Sequence, residues 1–141
     1  MTASSRTLQH VGEWKVEIRA GSVESLFIEL ARVVARETGW RDGSRGDAGD
    51  WEPIAIESRD LSALLVDWAN ELIGRSEVAA RAFPDVRNVR IEAEHDAHRL
   101  RADVRGSPVA ELASVLKAAT YHDAVVDRRD GEWRAEVLFD V

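Results

Sequence analysis

The stretch Thr120-Tyr-His-Asp-Ala-Val-Val-Asp-Arg-Arg-Asp-Gly-Glu-Trp-Arg-Ala-Glu-Val-Leu-Phe-Asp-Val141 decides how this chain is read. Asp130-Gly131 separates two runs suited to strands, and Asp-Gly is a strong short-range signal for a β-hairpin. The second run, Glu132 to Asp140, puts Trp133, Ala135, Val137 and Phe139 on one face and Asp140 on the other, because side chains alternate along a strand. Asp140 therefore stands beside the α-carboxylate of Val141. Two adjacent carboxylates at such a place are either a frayed end or half of a site for a hard cation.

Upstream of the hairpin, a strand is predicted from about Val115 to Asp127, after a short segment through Leu112 and a turn at Gly106-Ser-Pro108. Before that turn, Val89-Arg-Ile-Glu-Ala-Glu and Arg99-Leu-Arg-Ala-Asp-Val alternate around His95-Asp-Ala-His98 and read as another hairpin. His95 and His98 on a hairpin turn are too few for a convincing metal site and read as solvated polar residues. Residues 75–84 leave a helical turn and a short strand equally open. Asp60 is a good N-cap for a helix carrying Leu61, Leu64, Leu65, Trp68, Leu72 and Ile73 on one face. Trp68 belongs to the core by this pattern, and Asn70 falls on or near the exposed side. Ile54 and Ile56 alternate in a short strand whose first residues include Pro53, a tolerated position.

The glycine- and aspartate-rich stretch 38–51 reads as a surface loop. Its acids Asp42, Asp47 and Asp50 do not match the spacing of an EF-hand loop, and Arg45-Gly46-Asp47 reads as part of the same loop. Closer to the start, Trp14, Val16 and Ile18 alternate with Lys15, Glu17 and Arg19 in a strand with one buried face. Gly21-Ser22 breaks it, and Leu26, Phe27, Leu30, Val33 and Val34 then recur at helical spacing to about Glu37. Residues 1–7 read as a flexible tail ahead of one domain over residues 8–141. Strand, helix, strand, helix and then strands argue for an α+β domain: a mixed β-sheet with two main helices packed on one face.

With 141 residues the chain is long enough for one domain with its own core. Apolar residues make up 45% and charged residues 32%, the balance of a soluble globular protein. No apolar run approaches the ~20 residues of a membrane span, and the polar start lacks a secretory signal, so a cytoplasmic protein without membrane contact is expected. The absence of cysteine removes disulfides, thiolate zinc sites and cysteine nucleophiles. A net charge of −7 argues against direct nucleic-acid binding and suits a basic partner or a divalent cation. No phosphate-cradling glycine loop and no GxSxG elbow is present. If the strand opening at Glu13 neighbours the final strand, Glu13, Asp140 and the Val141 carboxylate converge. Three anionic oxygen donors repel one another unless a cation lies between them, and a hard ion suits them best. The alternative is a solvated acidic edge.

Lys117-Ala-Ala-Thr-Tyr-His-Asp, followed by a turn and Glu132-Trp-Arg-Ala-Glu-Val-Leu-Phe-Asp-Val141, resembles the end of the archeases. Asp60-Leu-Ser-Ala-Leu-Leu-Val-Asp-Trp-Ala-Asn-Glu-Leu72 is similar to that family's acidic-Leu…Leu-Leu…Trp…Asn-Glu-Leu helix, and His10 through Arg19 resembles its opening motif, usually His-Thr-Ala-Asp. The three matches follow the family's order and cover nearly the whole chain from about Leu8. The resemblance implies an accessory protein of an RtcB-type RNA ligase in tRNA splicing and RNA repair, one that promotes ligase guanylylation and turnover without ligating RNA itself. It implies a metal site at Glu13, Asp140 and Val141, with Ca²⁺ the first choice and Mg²⁺ or Mn²⁺ next. Glu13 stands where the family has Asp. The added methylene shifts the ligand oxygen by about one bond length, ~1.5 Å. Gly106 to Lys117 is also shorter and less acidic than is usual in the family. His10 and His122 match motif positions; each is either an orienting or proton-handling group or an ordinary hydrogen-bonding residue at a strand end. Two other readings stay open: a general chaperone-like interaction module with no metal-dependent role, and a stand-alone hydrolase with a metal-bound water.

Overall fold

The structure is a computed structural model that describes residues 2–10, 12–41, 47–113 and 115–141, with the side chains of residues 8–10 outside the description. Asp42, Arg45-Gly46 and the His10 side chain, singled out above, lie outside the described residues.

The strand predicted around Trp14 forms as β2 (Glu13–Ala20), with Val16, Ile18 and Ala20 buried and Lys15, Glu17 and Arg19 on the other face. Ahead of it, Ser4–His10 is a strand, β1, where a tail was expected. β1 is a polar edge strand paired antiparallel with β2 from Ser4↔Arg19 to His10↔Glu13. Its order comes from backbone pairing and side-chain contacts rather than apolar burial, so hydrophobic patterning gives no sign of it. Ser5 Oγ donates to Glu29 at 3.0 Å and Arg6 pairs with Glu17.

Helix α1 (Val23–Glu37) starts as expected at Ser22, whose side chain accepts from the Ser25 amide at 3.2 Å. At its far end Gly39 holds φ +112°, and a Cβ there would run into the Glu111 carbonyl. The Ala113 amide donates to the Thr38 carbonyl at 3.0 Å, which ties the segment after Ser107 to the end of α1. β3 (Trp51–Ser58) leads to helix α2 (Leu61–Ala79), capped by Asp60, whose side chain accepts from the Ala63 amide at 2.7 Å. The remaining strands are β4 (Ala82–Glu94), β5 (Ala97–Ser107), β6 (Ala118–Arg129) and β7 (Glu132–Asp140). The open stretch 75–84 divides: α2 continues to Ala79, and β4 begins at Ala82.

The α+β class and the two main helices hold. The strands, however, form two sheets rather than one, and every pairing is antiparallel: β1-β2-β7-β6 and β3-β5-β4. Three hairpins supply local antiparallel pairs, and β7 then inserts between β2 and β6. Helix α1 packs on β2 and β4, and α2 packs on β3, β5 and β6. The apolar faces of both sheets and both helices share one core. Trp68 is fully buried in it, and its Nε1 donates to the Phe27 carbonyl at 2.9 Å, locking α2 to α1.

Candidate metal centre at one end of the four-stranded sheet

The neighbour relation on which the site depended is present. β2 and β7 pair antiparallel, with Glu13 directly opposite Asp140 and Trp14 opposite Phe139. Residues directly opposite on antiparallel strands project to the same face. Phe139 is fully buried, so Glu13 and Asp140 share the face turned away from the core. The Val141 amide donates to the Gly12 carbonyl at 3.3 Å, which brings the residue after β7 beside the β1–β2 turn. On the other flank, the Lys117 amide donates to the Asp140 carbonyl at 2.8 Å. Backbone from three segments thus fixes the position of Asp140, while its side chain stays exposed.

Asn70 secures this arrangement from behind. Its Nδ2 donates to the Ala119 carbonyl at 3.1 Å, and its Oδ1 accepts from the Ala119 amide at 2.8 Å. Sequence periodicity had put Asn70 on or near the exposed side; it is half-buried and clamps the start of β6 to α2. Nothing in helical spacing distinguishes an asparagine that grips a neighbouring strand from one that meets water.

A further acid was missed. Between Thr120 and Val125, β6 carries five steps where β7 takes two, from Leu138 to Glu136. A bulge of this kind re-aims side chains. It places Asp123, at φ +54°, on a cavity of ≈ 200 Å³ lined also by Glu13, Lys15, Glu136, Val137 and Leu138. Aspartate is among the few residues that accept this left-handed backbone readily. Simple alternation could not reveal it, because the extra residues undo the period of two. Tyr121 anchors the bulge: its hydroxyl donates to Asp67, which also accepts from Ser58 Oγ at 2.5 Å. That hydrogen bond to Asp67, with some burial and the charge of Asp67, holds the phenol above its ordinary range, against the opposing Arg59. His122 is exposed and lies 3.2 Å from Asp123; it does not join Glu13 and Asp140.

Lys15 lies on the cavity but is drawn to Glu136 at 3.4 Å and Glu17 at 4.0 Å. Among the described residues neither Glu13 nor Asp140 has a cationic partner. No three His, Cys, Asp or Glu side chains among the described residues gather closely enough to hold a metal by themselves. Glu13 and Asp140 supply hard oxygen donors, the donor type that suits Ca²⁺ or Mg²⁺. His95 is exposed on the β4–β5 turn, with φ +47°, and no metal-holding group among the described residues includes it or His98.

These features describe a small protein of two antiparallel sheets and two helices, with an acidic end on the larger sheet. Residues 6–141 match the Archease protein family (MTH1598/TM1083). The chain is 28% identical over 138 residues to the protein archease of Methanopyrus kandleri, covering 95% of this chain and 96% of that one. It is 31% identical over 139 residues to that of Methanosarcina barkeri, covering 95% and 93%. The fold is that of Methanobacterium thermoautotrophicum protein 1598 in solution, with a TM-score of 0.76, 21% identity, and 97% and 98% coverage. It is shared by an archease and possible chaperone of Thermotoga maritima, at a TM-score of 0.57, 19% identity and 96% coverage of each chain. The chain belongs to the archease family. No helix among the described residues is long and apolar enough to cross a membrane.

Proposed function

We propose that this protein is a non-catalytic accessory activator of an RtcB-type RNA ligase, serving cytoplasmic tRNA splicing and RNA repair by promoting guanylylation and turnover of the ligase. The observation that carries the reading is the register of Glu13 against Asp140, with Val141 held beside Gly12. In this reading Glu13, Asp140 and the Val141 α-carboxylate hold one divalent cation, Ca²⁺ first and Mg²⁺ or Mn²⁺ next. A bound divalent cation would offset most of the negative charge of the carboxylates and present a coordination position to phosphate oxygens of a nucleotide in the partner's site. The chain's own contribution is positional. Paired strands keep the carboxylates in place without the entropy cost of ordering a loop, and the face turned from the core leaves them open to a partner.

The test is GMP transfer to the ligase from the same source, with and without this protein, in wild-type and Asp140→Ala forms. Wild type stimulates and Asp140→Ala does not, while the circular dichroism of the two is the same. Stimulation by both proteins would discard the acidic end as the mechanism. A second reading draws on the Thermotoga relative, described as a possible chaperone: a general interaction module whose effect on partners survives both Asp140→Ala and chelation of divalent ions.

A further inference from the structure

The outer face of the three-stranded sheet holds a charge arrangement that the ligase reading does not use. Leu100, Ala102 and Val104 of β5 are buried, so Arg99, Arg101, Asp103 and Arg105 lie on the outer face. On β4 the register shift between Arg87 and Arg90 adds one residue against Asp103 and Arg101. That bulge, with Asn88 at φ +55°, puts Arg87 and Arg90 on the same face although they are three apart in sequence.

Most cations of this face are paired. Arg87 meets Asp103 at 3.4 Å, Arg105 meets Asp85 at 2.9 Å, and Arg99 meets Glu57 at 3.1 Å and Glu94 at 3.5 Å. The central row runs Ala55, Arg101, Arg90. Its two arginines are exposed, directly opposite each other, and without an ion pair among the described residues. The unpaired Glu92 is one row away, opposite Arg99, about 7 Å along the strand. Cβ atoms of directly opposed residues lie about 4.5–5.5 Å apart, and like charges so placed repel. Successive phosphates of a nucleic-acid strand, one on each guanidinium, remove that repulsion and satisfy both planar forks. Ala55 beside the row leaves the space open.

A second feature separates phosphate of a nucleic acid from a carboxylate-bearing peptide. The Arg87 and Arg105 guanidiniums stack over the Trp51 ring, with 4.1 and 4.5 Å from guanidinium carbon to ring centroid. The Arg87 side chain is 50% exposed, so a stacked cationic plane borders the unpaired row. Unstacked bases settle on aromatic rings and guanidinium planes; a run of Asp and Glu side chains carries no ring to stack there.

We propose that Arg90 and Arg101 bind the phosphate backbone of single-stranded RNA, with a neighbouring base against the Arg87–Trp51 stack. The net charge of −7 does not forbid this, because exposed charges act over about 8 Å at physiological ionic strength. The site is on the other sheet from the acidic end and is measured without the ligase, so failure of either reading leaves the other standing.

The experiment is fluorescence anisotropy of a short labelled oligouridylate against the full chain over a series of salt concentrations. Two phosphate contacts give a slope of log affinity on log salt of about −1.4, and Arg90→Ala or Arg101→Ala brings it to about −0.7. The double variant loses binding, Arg129→Ala on the other sheet retains it, and Arg101→Lys retains the slope at lower affinity. Each alanine variant keeps its thermal midpoint or gains a little, since a repulsion is removed. Absence of binding by wild type, or binding that the double variant preserves, overturns the proposal. Oligoglutamate binding as tightly as RNA with the same arginine dependence also overturns it, and assigns the row to an acidic protein partner.

Discussion

Asn70 shows how one side chain reaches a site it does not belong to. It meets both polar groups of the Ala119 peptide, and the chain leaving Ala119 backwards reaches Lys117, whose amide holds the Asp140 carbonyl. Asn70→Ala would leave an amide and a carbonyl of β6 without partners, at about 1–3 kcal/mol for a poorly solvated group. The expected result is a lower urea midpoint for Asn70→Ala with unchanged slope, and weaker Ca²⁺ binding by calorimetry at temperatures where the variant is still folded. Unchanged stability and affinity would mean the clamp is incidental. The shared outer face of Glu13 and Asp140 was legible in sequence, because alternation gives the face of each. Asn70 and Asp123 were not. The first acts through contacts to a strand 49 residues away, and the second is turned onto the cavity by residues that interrupt the strand period.

Elements were legible where their ends carry chemistry. Ser22 and Asp60 cap their helices as read, and Asp130 and Gly131 both take positive φ, 53° and 77°, as a tight hairpin turn of two residues requires. The boundary of α2 was illegible for a related reason. Helices commonly stop on a glycine in the left-handed region, but here Ala80 takes that place at φ 54°, ψ 43°. Without the glycine signal, residues 75–84 offered no visible stop. The same fact gives a prediction: Ala80→Gly relieves the side-chain strain of this backbone and raises stability by about 0.5–1 kcal/mol after the larger entropy of glycine in the unfolded chain is counted. Chemical denaturation checks it through a higher midpoint at constant slope; a lower midpoint would show that the site tolerates alanine without strain.

At the scale of the molecule, periodicity tells which face a strand buries but not which strand it neighbours. That is why two antiparallel sheets took the place of one mixed sheet, and why β1, with little apolar surface, went unseen. The proposed cation site joins segments from both ends of the chain, so binding should stabilise the whole fold. A ligand that binds only the folded state contributes about 2.7 kcal/mol at a hundred times its dissociation constant. Saturating Ca²⁺ is thus expected to raise the melting temperature of wild type and not of Asp140→Ala; equal shifts in both would place the ion elsewhere. The position of β7, last in sequence yet interior in its sheet, also sets a timetable for biosynthesis. β2 leaves the ribosome with one flank bare and stays so while roughly 110 further residues are made, about 5–20 s at ordinary elongation rates. During that interval the nascent chain presents an open strand edge to its neighbours, and the acidic end cannot assemble until β7 has been made.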